Sequence, residues 1–368
     1  MNPLAQFVRQ YDPSVPLERA VTIPSAWYTH PEIHELERRS VFARNWLMVG
    51  RLDQATSAGQ FFTVDLAGEP IVVVRGHDGV LRAFYNVCRH HAAAVADKPE
   101  GKVNTLQCPY HGWTYALSGE LKGITEFDGV CEFEKSQNGL IPIRVDTWEN
   151  FVFVTLDESA PGLPEFLGSI ADRVTPLQFR KLHFFERRSY TLNCNWKVFI
   201  DNYLDGGYHV PFAHKSLNSV LDFTKYRIES IERYCVQSSP LSTEGADATT
   251  ASVRKGDMAY YFWLYPNFMV NWYDGVMDTN LALPLGVDRV LVLFDFYFAD
   301  VSAARADHNR TSVDVADRVQ GEDIGVCESV QRGLKSKAYD VGRLSVRREA
   351  GEHLFHRLLH ADLSANLT

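Results

Sequence analysis

Two short segments of the chain each place a histidine two or three positions after a cysteine. The first contains Cys88 and His90, the second contains Cys108 and His111, and 17 residues separate His90 from Cys108. Thiolates and imidazoles bind zinc, and they also bind iron in iron–sulfur clusters. A structural zinc accepts two of each, and so does a Rieske [2Fe–2S] cluster, with two cysteines on one iron and two histidines on the other. The segments therefore predict a metal centre.

The distribution of these ligands between the two segments favours the cluster. Zinc fingers pair cysteine with cysteine and histidine with histidine, whereas here each segment supplies one of each and can contact both irons. The residues around the second pair also resemble the Rieske signature: Pro109, Tyr110, Gly112 and Trp113. The predicted cluster ligands are Cys88, His90, Cys108 and His111. His91 lies off the pattern and receives no role.

A second group of polar residues lies in an apolar segment, residues 193–214. Asp201, Asp205 and His209 are spaced by four, so they share one helical face if the helix extends that far. Glycines and a proline make the end of this helix irregular, which helps to bring His209 and His214 onto one metal. Two histidines five residues apart are also common as solvated side chains near a helix end, so a further ligand is needed.

A distant carboxylate supplies that third ligand. Asp323 falls within an apolar stripe on the predicted helix 313–335, formed by Val319, Val326, Val330 and Leu334. A buried carboxylate needs a partner, either a metal or an Arg or Lys side chain. Two histidines and one carboxylate form the facial triad of non-haem Fe(II) oxygenases, which leaves positions for O₂ and substrate. Glu322 flanks the stripe, and Glu328 points roughly the opposite way.

Hydrophobic patterns divide the chain into an all-β segment and a longer mixed segment. Short strands are predicted at 61–66, 70–75, 81–87, 103–108 and 151–156. Helices are predicted at 31–45, 196–208 (before Pro211) and 313–335, with further strands at 258–263, 268–272 and 290–298. The fold class is therefore α+β, with an antiparallel sheet in the second unit. The predicted domains are 43–156, and 1–42 together with 157–368.

Composition excludes several other classes of protein. The chain has 368 residues, a net charge of −9 and 45% hydrophobic residues. An acidic chain without a basic tract is a poor candidate for binding nucleic acid. Residues 1–16 lack the apolar region of a signal peptide, and no stretch approaches the roughly 20 apolar residues that span a bilayer. We therefore expect a cytoplasmic protein without membrane or nucleic-acid partners, whose six cysteines do not form disulfides.

Taken together, the two constellations resemble the catalytic α subunit of Rieske non-haem iron oxygenases, and most closely the choline monooxygenase-like branch. The resemblance covers nearly the whole chain and is strongest at Asn202–Lys215, Tyr265–Phe268, Glu322–Gly333 and His353–His356. It implies a small all-β Rieske domain beside a helix-grip (START/Bet v1-like) catalytic domain. It also implies one Rieske [2Fe–2S] cluster on Cys88, His90, Cys108 and His111, and one mononuclear Fe(II) on His209, His214 and Asp323.

The same resemblance implies a homotrimer, in which the cluster of one subunit faces the iron of the next across a carboxylate. In many branches this carboxylate precedes the first iron histidine by three residues, but Gly206 occupies that position here. Asp205 is therefore the expected bridge, with Asp201 as the alternative. Asn202, in the same segment, is a further candidate catalytic residue.

The expected reaction is oxygenation with O₂ and two external electrons. No G-x-G-x-x-G motif follows a strand, and no plant-type cluster motif is present, so NAD(P)H is expected to act only through a separate ferredoxin or flavin reductase. Two other classes remain possible on the residues alone: a Rieske electron carrier without a second iron, and a zinc-stabilised binding module.

Aromatic residues of the segment 260–273 predict the walls of a substrate site: Trp263, Tyr265, Phe268 and Trp272. Such side chains can enclose a quaternary ammonium group, although aromatic residues of a sheet most often belong to a core. The resemblance favours hydroxylation beside a quaternary nitrogen, or N-demethylation, of a betaine-type compound. Ring hydroxylation or dioxygenation of an arene acid is the alternative.

Overall fold

A computed structural model describes residues 3–242, 245–365 and 367. The chain forms two compact units: Phe42–Phe166 is one, and the chain on either side of it folds into the other. In the described residues no helix is both long enough and apolar enough to cross a membrane. The six cysteines are all free thiols.

The unit Phe42–Phe166 is built from ten short antiparallel strands. These are β1 (Leu47–Arg51), β2 (Gln60–Leu66), β3 (Glu69–Arg75), β4 (Leu81–Tyr85), β5 (Glu100–Lys102), β6 (Leu106–Gln107), β7 (Thr114–Tyr115), β8 (Leu121–Gly123), β9 (Pro142–Trp148) and β10 (Phe151–Thr155). Seven of them form a sheet in the order β1-β10-β9-β4-β3-β2-β5, and β6-β7-β8 form a second sheet. Residues Ile71–Val74 of β3 are fully buried, as expected for a β-branched run.

The strand predicted at 103–108 is wrong in its extent. Only Leu106–Gln107 pair with β7, while Glu100–Lys102 pair with β2. Between them the backbone leaves both ladders, because Val103 donates to the carbonyl of Gly59 and the carbonyl of Asn104 contacts His77 Nε2. The segment before Cys108 is therefore a short hairpin strand rather than part of a long one.

The other unit contains a seven-stranded antiparallel sheet. Its strands are β11 (His183–Leu192), β12 (Arg227–Ile231), β13 (Tyr234–Pro240), β14 (Met258–Leu264), β15 (Phe268–Tyr273), β16 (Val276–Gly286) and β17 (Arg289–Phe298). The order is β11-β17-β16-β15-β14-β13-β12. The last six strands in the chain, β12 to β17, are therefore consecutive neighbours in the sheet, and β11 pairs with β17 at the other edge.

The structure describes eleven α-helices. They are α1 (Pro3–Val8), α2 (Ser25–Thr29), α3 (Pro31–Glu37), α4 (Leu163–Leu167), α5 (Ile170–Val174), α6 (Trp196–Leu204), α7 (Val210–Ala213), α8 (Lys215–Asn218), α9 (Ala248–Val253), α10 (Ala306–Leu334) and α11 (Ala350–Ala365). All lie in the unit that contains this sheet except α4, which spans the boundary between the two units. A π-helical turn, Arg38–Phe42, continues α3, so the helix predicted at 31–45 changes its winding after Glu37. Helix α10, with 29 residues, is the longest.

Helix α6 ends earlier than the sequence predicts, at Leu204 rather than near Tyr208. Gly206 and Gly207 follow with φ angles of +67° and +68°, a conformation that side chains other than glycine rarely adopt. A Cβ on Gly206 would also lie 2.1 Å from the carbonyl oxygen of Arg348. This double-glycine turn ends the helix, and Pro211 then lies in the first turn of α7.

The apolar stripe predicted on α10 is not the buried face of the helix. Val326 and Val330 are 37% and 45% exposed. Leu334 of the stripe is buried, but the other buried residues of this half of the helix lie one position from the predicted ones: Ala316, Gln320, Cys327 and Gln331. Asp323 belongs to this face by its spacing, and its side chain is 13% exposed. Polar residues can occupy a buried face when they are hydrogen-bonded, as Gln331 is to the backbone N–H of Asn195.

Candidate metal centres

The cysteine–histidine segments form two loops of the same shape. Cys88 follows β4, and Cys108 follows β6. In each loop the cysteine carbonyl accepts a hydrogen bond at 3.0 Å from the N–H of the residue four positions later, which is Ala92 in the first loop and Gly112 in the second. In each loop the cysteine N–H also donates a hydrogen bond at 2.8 Å to the carbonyl of the residue five positions later, Ala93 or Trp113. The two loops therefore present their ligands in the same way, although one has one residue more between cysteine and histidine.

The loops bring the four predicted ligands to one place. The Cys88 and Cys108 side chains are buried in the same core cluster, while the rings of His90 and His111 lie nearer the surface with centroids 4.7 Å apart. His91 is exposed, and its ring contacts that of His90.

The histidine nitrogens have the properties of cluster ligands. Nδ1 of His90 and Nδ1 of His111 are both buried, and neither has a hydrogen-bond partner among the described residues. Such atoms are rare unless a ligand satisfies them. Two iron atoms, each coordinated by one pair of residues, would satisfy these nitrogens and the two thiolates.

A single zinc ion suits this set less well. Ligand atoms of one zinc lie at most about 4.6 Å apart. In the part of the chain that the structure describes, two groups of three donor residues fall within 4.8 Å, and neither includes these cysteines and histidines. The spacing of the four donors therefore fits a larger group with two metal atoms.

A tyrosine outside the predicted ligand set contacts the cluster loops. The hydroxyl oxygen of Tyr115 accepts a hydrogen bond from the N–H of Arg89 at 3.0 Å and lies 3.3 Å from Sγ of Cys88. A thiolate that holds iron can only accept, so the hydroxyl would donate to this sulfur once the cluster is bound. Burial raises the pKa of Tyr115, so the hydroxyl keeps its proton. Sequence reasoning missed Tyr115, because nothing in the C-x-H and C-x-x-H patterns specifies which strand residue packs on the thiolate.

The second predicted ligand set also converges. Nε2 of His209 lies 3.1 Å from Nε2 of His214, and Oδ1 of Asp323 lies 3.0 Å from Nε2 of His214 and 3.6 Å from Nε2 of His209. His209 precedes α7, His214 follows it, and Asp323 comes from α10. Two imidazoles and one carboxylate aimed at one point are the donor set of a non-haem Fe(II) site, so the residues present fit that metal.

Each of the two histidines of this predicted triad is held by a carboxylate on its other nitrogen. His209 donates from Nδ1 to Oδ2 of Asp205 at 2.6 Å, and His214 donates from Nδ1 to Oε2 of Glu322 at 2.6 Å. These bonds fix the rings with both Nε2 atoms free for a metal. Glu322, which the sequence places at the flank of the ligand face, is thus a positioning residue for His214.

Two further residues are placed clearly by the structure. Nδ2 of Asn202 donates to Oδ1 of Asp323 at 2.8 Å, so Asn202 orients the third ligand. The carboxylate of Glu328 accepts instead from the N–H and side-chain amide of Asn193 at 3.0 and 2.9 Å. Glu328 therefore leaves α10 on a different face from Asp323, as the sequence predicts.

The electrostatics of the triad favour a cation. Burial lowers the pKa of His214, but its hydrogen bonds to Asp323 and Glu322 outweigh burial and raise that pKa overall. The His214 side chain is 1% exposed and lies between these two carboxylates. The carboxylates stabilise positive charge at this point, which a bound divalent ion provides.

Asp201 lies in a separate cluster. It accepts from Tyr28 at 2.6 Å and from Nε2 of His356 at 3.1 Å, and Glu352 lies 3.9 Å from the same nitrogen. The shared helical face predicted for Asp201, Asp205 and His209 does not form, because α6 ends at Leu204. Asp205, and not Asp201, therefore contacts an iron-site histidine.

A cavity of about 130 Å³ opens beside the triad. His209, His214 and Asp323 form part of its wall. Its aromatic lining consists of Phe199, Tyr203, Tyr226, Tyr261, Tyr273 and Phe294, and its polar lining includes Gln237, Arg254, Asn271, Asp278 and Asn280. The volume is below the roughly 300 Å³ typical of sites for drug-sized ligands, so it suits a small molecule.

The aromatic residues predicted to line this cavity do not do so. Side chains alternate along a strand, and Asn271 and Tyr273 of β15 face the cavity, so Phe268 and Trp272 face the other side of the sheet. Trp263 lies near the end of β14 and Tyr265 follows that strand, and both rings pack against Phe355 of α11. The predicted cage is corrected to the tyrosines of the cavity wall.

Four cavity residues form one row across the sheet. Gln237 pairs with Tyr261, Tyr261 with Asn271, and Asn271 with Asp278 in the registers of neighbouring strands. Hydrogen bonds tie Tyr203 to this row: its hydroxyl donates to Asn271 Oδ1 at 2.8 Å, and its carbonyl accepts from Gln237 Nε2 at 2.7 Å. These contacts hold the row in place as one wall of the cavity.

Comparison with known proteins agrees with this geometry. Residues 45–134 match the family described as Rieske [2Fe-2S] domain, and residues 179–365 match the family described as ring hydroxylating alpha subunit (catalytic domain). The chain is 43% identical to the chloroplastic choline monooxygenase of Arabidopsis thaliana, over 99% of this chain and 88% of that protein. It is 31% identical to the carnitine monooxygenase oxygenase subunit of Escherichia coli, over 88% and 86% of the two chains.

Solved structures give the same relationship. The quaternary ammonium Rieske monooxygenase CntA in complex with L-carnitine superposes with a TM-score of 0.81 at 28% identity, over 98% of this chain and 97% of that chain. Naphthalene 1,2-dioxygenase from Rhodococcus sp. superposes with a TM-score of 0.83 at 18% identity over both whole chains, a likeness of fold alone.

These relationships confirm the α+β fold class and the oxygenase class expected from the sequence. They also identify the cofactors as a Rieske [2Fe–2S] cluster and a mononuclear iron, used in an oxidoreductase reaction with O₂. The chain therefore belongs to the family of Rieske non-haem iron oxygenases, as a catalytic alpha subunit.

Proposed function

We propose that this oxygenase hydroxylates a small quaternary ammonium compound, either at a carbon bonded to the nitrogen, which leads to N-demethylation, or at an alcohol carbon, which gives an aldehyde hydrate. The observation that carries the proposal is the cavity of about 130 Å³ that begins at His209, His214 and Asp323 and is lined by four tyrosines. Tyrosine faces attract quaternary ammonium groups, which cannot donate hydrogen bonds. The relatives named for choline and carnitine support the same substrate class.

The proposal assigns the mononuclear iron to His209, His214 and Asp323, and the cluster to the two cysteine–histidine loops. When bound, the iron supplies O₂ activation and the cluster supplies one electron at a time. The chain itself orients the iron ligands through Asp205, Glu322 and Asn202, and it excludes bulk water with the aromatic walls of the cavity. On this division of labour, residues 43–156 form the electron-supplying domain, and 1–42 with 157–368 form the catalytic domain.

We further infer a homotrimer, in which Asp205 passes electrons between subunits. Asp205 and His209 border an exposed apolar patch that includes Tyr208, Phe212 and Val326. Tyr208 and Phe212 are 52% and 80% exposed. Exposed apolar patches of this kind mark interaction sites, and a second copy that presents its cluster would cover the patch and reach Asp205. Phe212→Asp should shift sedimentation from trimer to monomer while each chain keeps its cluster.

The electrons are proposed to come from a separate ferredoxin or flavin reductase that uses NAD(P)H. The proposed location is the cytoplasm, although the name of the Arabidopsis thaliana relative places that protein in the chloroplast.

Two measurements test the proposed function. Protein purified without oxygen should hold about three irons and two sulfides per chain, and Cys108→Ser should lose the sulfide and the brown colour. With a surrogate reductase, O₂ consumption should be stimulated by choline or betaines and matched by an equal amount of hydroxylated or demethylated product. One zinc without sulfide would contradict the metal assignment, and stimulation by aromatic acids alone would move the reaction to ring hydroxylation.

A further inference from the structure

The cavity beside the triad is elongated along α10. The residues of this helix that line it extend from Val315 to Asp323, which is eight residues or about 12 Å of helix rise. Asp323, with the two iron-site histidines, lies at one end. A substrate that fills the cavity therefore has one end at the metal ligands and another end well away from them.

The far end of the cavity contains a buried arginine. Arg254 is 8% exposed and lines the cavity. Its Nη1 donates to Oγ of Ser312 at 2.6 Å, and Ser312 precedes Asp323 on α10 by eleven residues, or about 16 Å of helix. The guanidinium carbon lies 4.8 Å from the centroid of the Tyr273 ring, so one tyrosine of the cavity wall packs directly against it.

Arg254 has no close anionic partner among the residues that the structure describes. Of the residues that the structure describes, none places a carboxylate oxygen within 4.0 Å of the Arg254 guanidinium nitrogens. Asp278 lies within electrostatic range but accepts its hydrogen bonds from Asn271 and Asn280. Burial raises the pKa of Asp278, and the charge of Arg254 only partly offsets this. Arginine cannot deprotonate in response, so the far end carries a buried positive charge that an anion would stabilise.

We propose that Arg254 binds the carboxylate of the substrate, so that the substrate is a zwitterionic betaine rather than choline. This inference rests on the proposed function above. A guanidinium binds a carboxylate through two parallel hydrogen bonds. With the carboxylate at Arg254, the quaternary nitrogen of a betaine lies among the cavity tyrosines, nearer to the triad. Choline, a cation without a carboxylate, leaves the Arg254 charge unpaired and adds a second positive charge to the same cavity.

The test measures binding to the holoenzyme by titration calorimetry, without turnover. The probes are 4-(trimethylammonio)butanoate, its methyl ester, choline and benzoate. The free acid should bind at least about tenfold more tightly than choline or the ester, since a charged hydrogen-bonded pair is lost in both. The ester comparison uses unaltered protein, so its result does not depend on whether a variant folds.

Variants then assign the effect to one side chain. Arg254→Gln should weaken binding of the free acid by about 30-fold and leave the ester unchanged, and Arg254→Lys should recover part of the loss. Lys255→Gln is the matched control, because Lys255 is the exposed neighbour and does not line this cavity. It should bind all probes as the unaltered protein does.

The outcomes separate this inference from the proposed function. Tighter binding of choline than of the free acid, or equal binding of acid and ester, would overturn the role of Arg254 and leave a quaternary ammonium substrate in place. Binding of benzoate with no binding of any quaternary ammonium probe would overturn the proposed function and this inference together.

Discussion

Asp205 and His209 are joined by a 2.6 Å hydrogen bond from Nδ1 of the imidazole to Oδ2 of the carboxylate. The same carboxylate accepts the backbone N–H groups of Tyr208 and His209 at 3.1 and 3.0 Å. It is therefore fixed by three hydrogen bonds on the turn that follows α6. Asp205 thus combines two properties: it orients an iron-site histidine, and it borders the exposed apolar patch at Tyr208 and Phe212.

Asp205→Asn should keep both metal centres and nearly abolish coupled turnover. The amide keeps the shape of the carboxylate but loses its charge, and we expect a fall of at least about 100-fold in the rate at which reduced cluster is reoxidised in the presence of O₂ and substrate. Stopped-flow absorbance of the cluster measures this rate. The samples are saturated with iron, because residues that orient a metal ligand also affect metal affinity. Asp201→Asn is the control and should be reoxidised normally. Loss in Asp201→Asn with normal behaviour in Asp205→Asn would transfer the role to Asp201.

Asp323→Ala should lose the mononuclear iron and all oxygenation, while the cluster spectrum remains. Asp323 supplies the only carboxylate of the proposed triad, and two histidines alone bind Fe(II) weakly. Glu328→Ala should keep the iron, since Glu328 contacts Asn193 on another face of α10. Asp323→Glu tests whether a carboxylate restores the site. The ratio of iron to acid-labile sulfide, measured in the same samples, checks each result. If Asp323→Ala keeps one iron beyond the cluster and turns over normally, the proposed triad is wrong.

Glu322→Gln should weaken iron binding without removing the site. The carboxylate accepts from Nδ1 of His214 at 2.6 Å, and loss of such a partner costs about 10- to 100-fold in metal affinity. Titration of apoprotein with Fe(II) under anaerobic conditions measures the change. An affinity equal to that of unaltered protein would mean that Glu322 has no positioning role.

Tyr115→Phe should lower the reduction potential of the cluster. Its hydroxyl is directed at Sγ of Cys88, and hydrogen bonds to cluster sulfurs raise the potential because they stabilise the more negative reduced state. Loss of one bond to a charged group, at about 1.5 kcal/mol, corresponds to roughly 65 mV for one electron. Potentiometric titration followed by EPR measures this shift. An unchanged potential would show that the hydroxyl does not donate to the sulfur.

Glu352→Gln should stabilise the protein at neutral pH more than at acidic pH. Burial, and then the charge of Asp201, raise the pKa of Glu352 well above its ordinary value of 4.5. As pH rises above about 4.5, the unfolded chain releases this proton while the folded chain keeps it, so stability falls by up to about 1.4 kcal/mol per pH unit. Glutamine does not titrate in this range, so Glu352→Gln removes this pH-dependent loss of stability. Melting temperatures of the two proteins at pH 5 and pH 7.5 check the prediction, and an equal difference at both values would contradict it.

The sequence by itself determined the two proposed ligand sets that the structure brings together, because most of these ligands are specified by residue type and short spacing. Cys88 with His90 and Cys108 with His111 each lie within one loop, and His209 and His214 flank the single turn of α7, so local geometry decides which atoms converge. The predicted stripe places Asp323 on the right helix but on the wrong face: Val326 and Val330 are exposed, while the buried face contains Gln320 and Gln331. Periodicity alone cannot separate two stripes that differ by one position.

Only the tertiary structure decided which residues line the cavity beside the triad. Tyr261 and Trp263 are equivalent by strand alternation, but α11 covers Trp263 and leaves Tyr261 in the cavity wall. Asp201 and Asp205 are equivalent by helical spacing, but the turn at Gly206 separates them. Arg254 reaches the cavity because it follows α9 and bonds Ser312 on α10, 58 residues later in the chain. These choices depend on packing between elements distant in sequence, which no local pattern specifies.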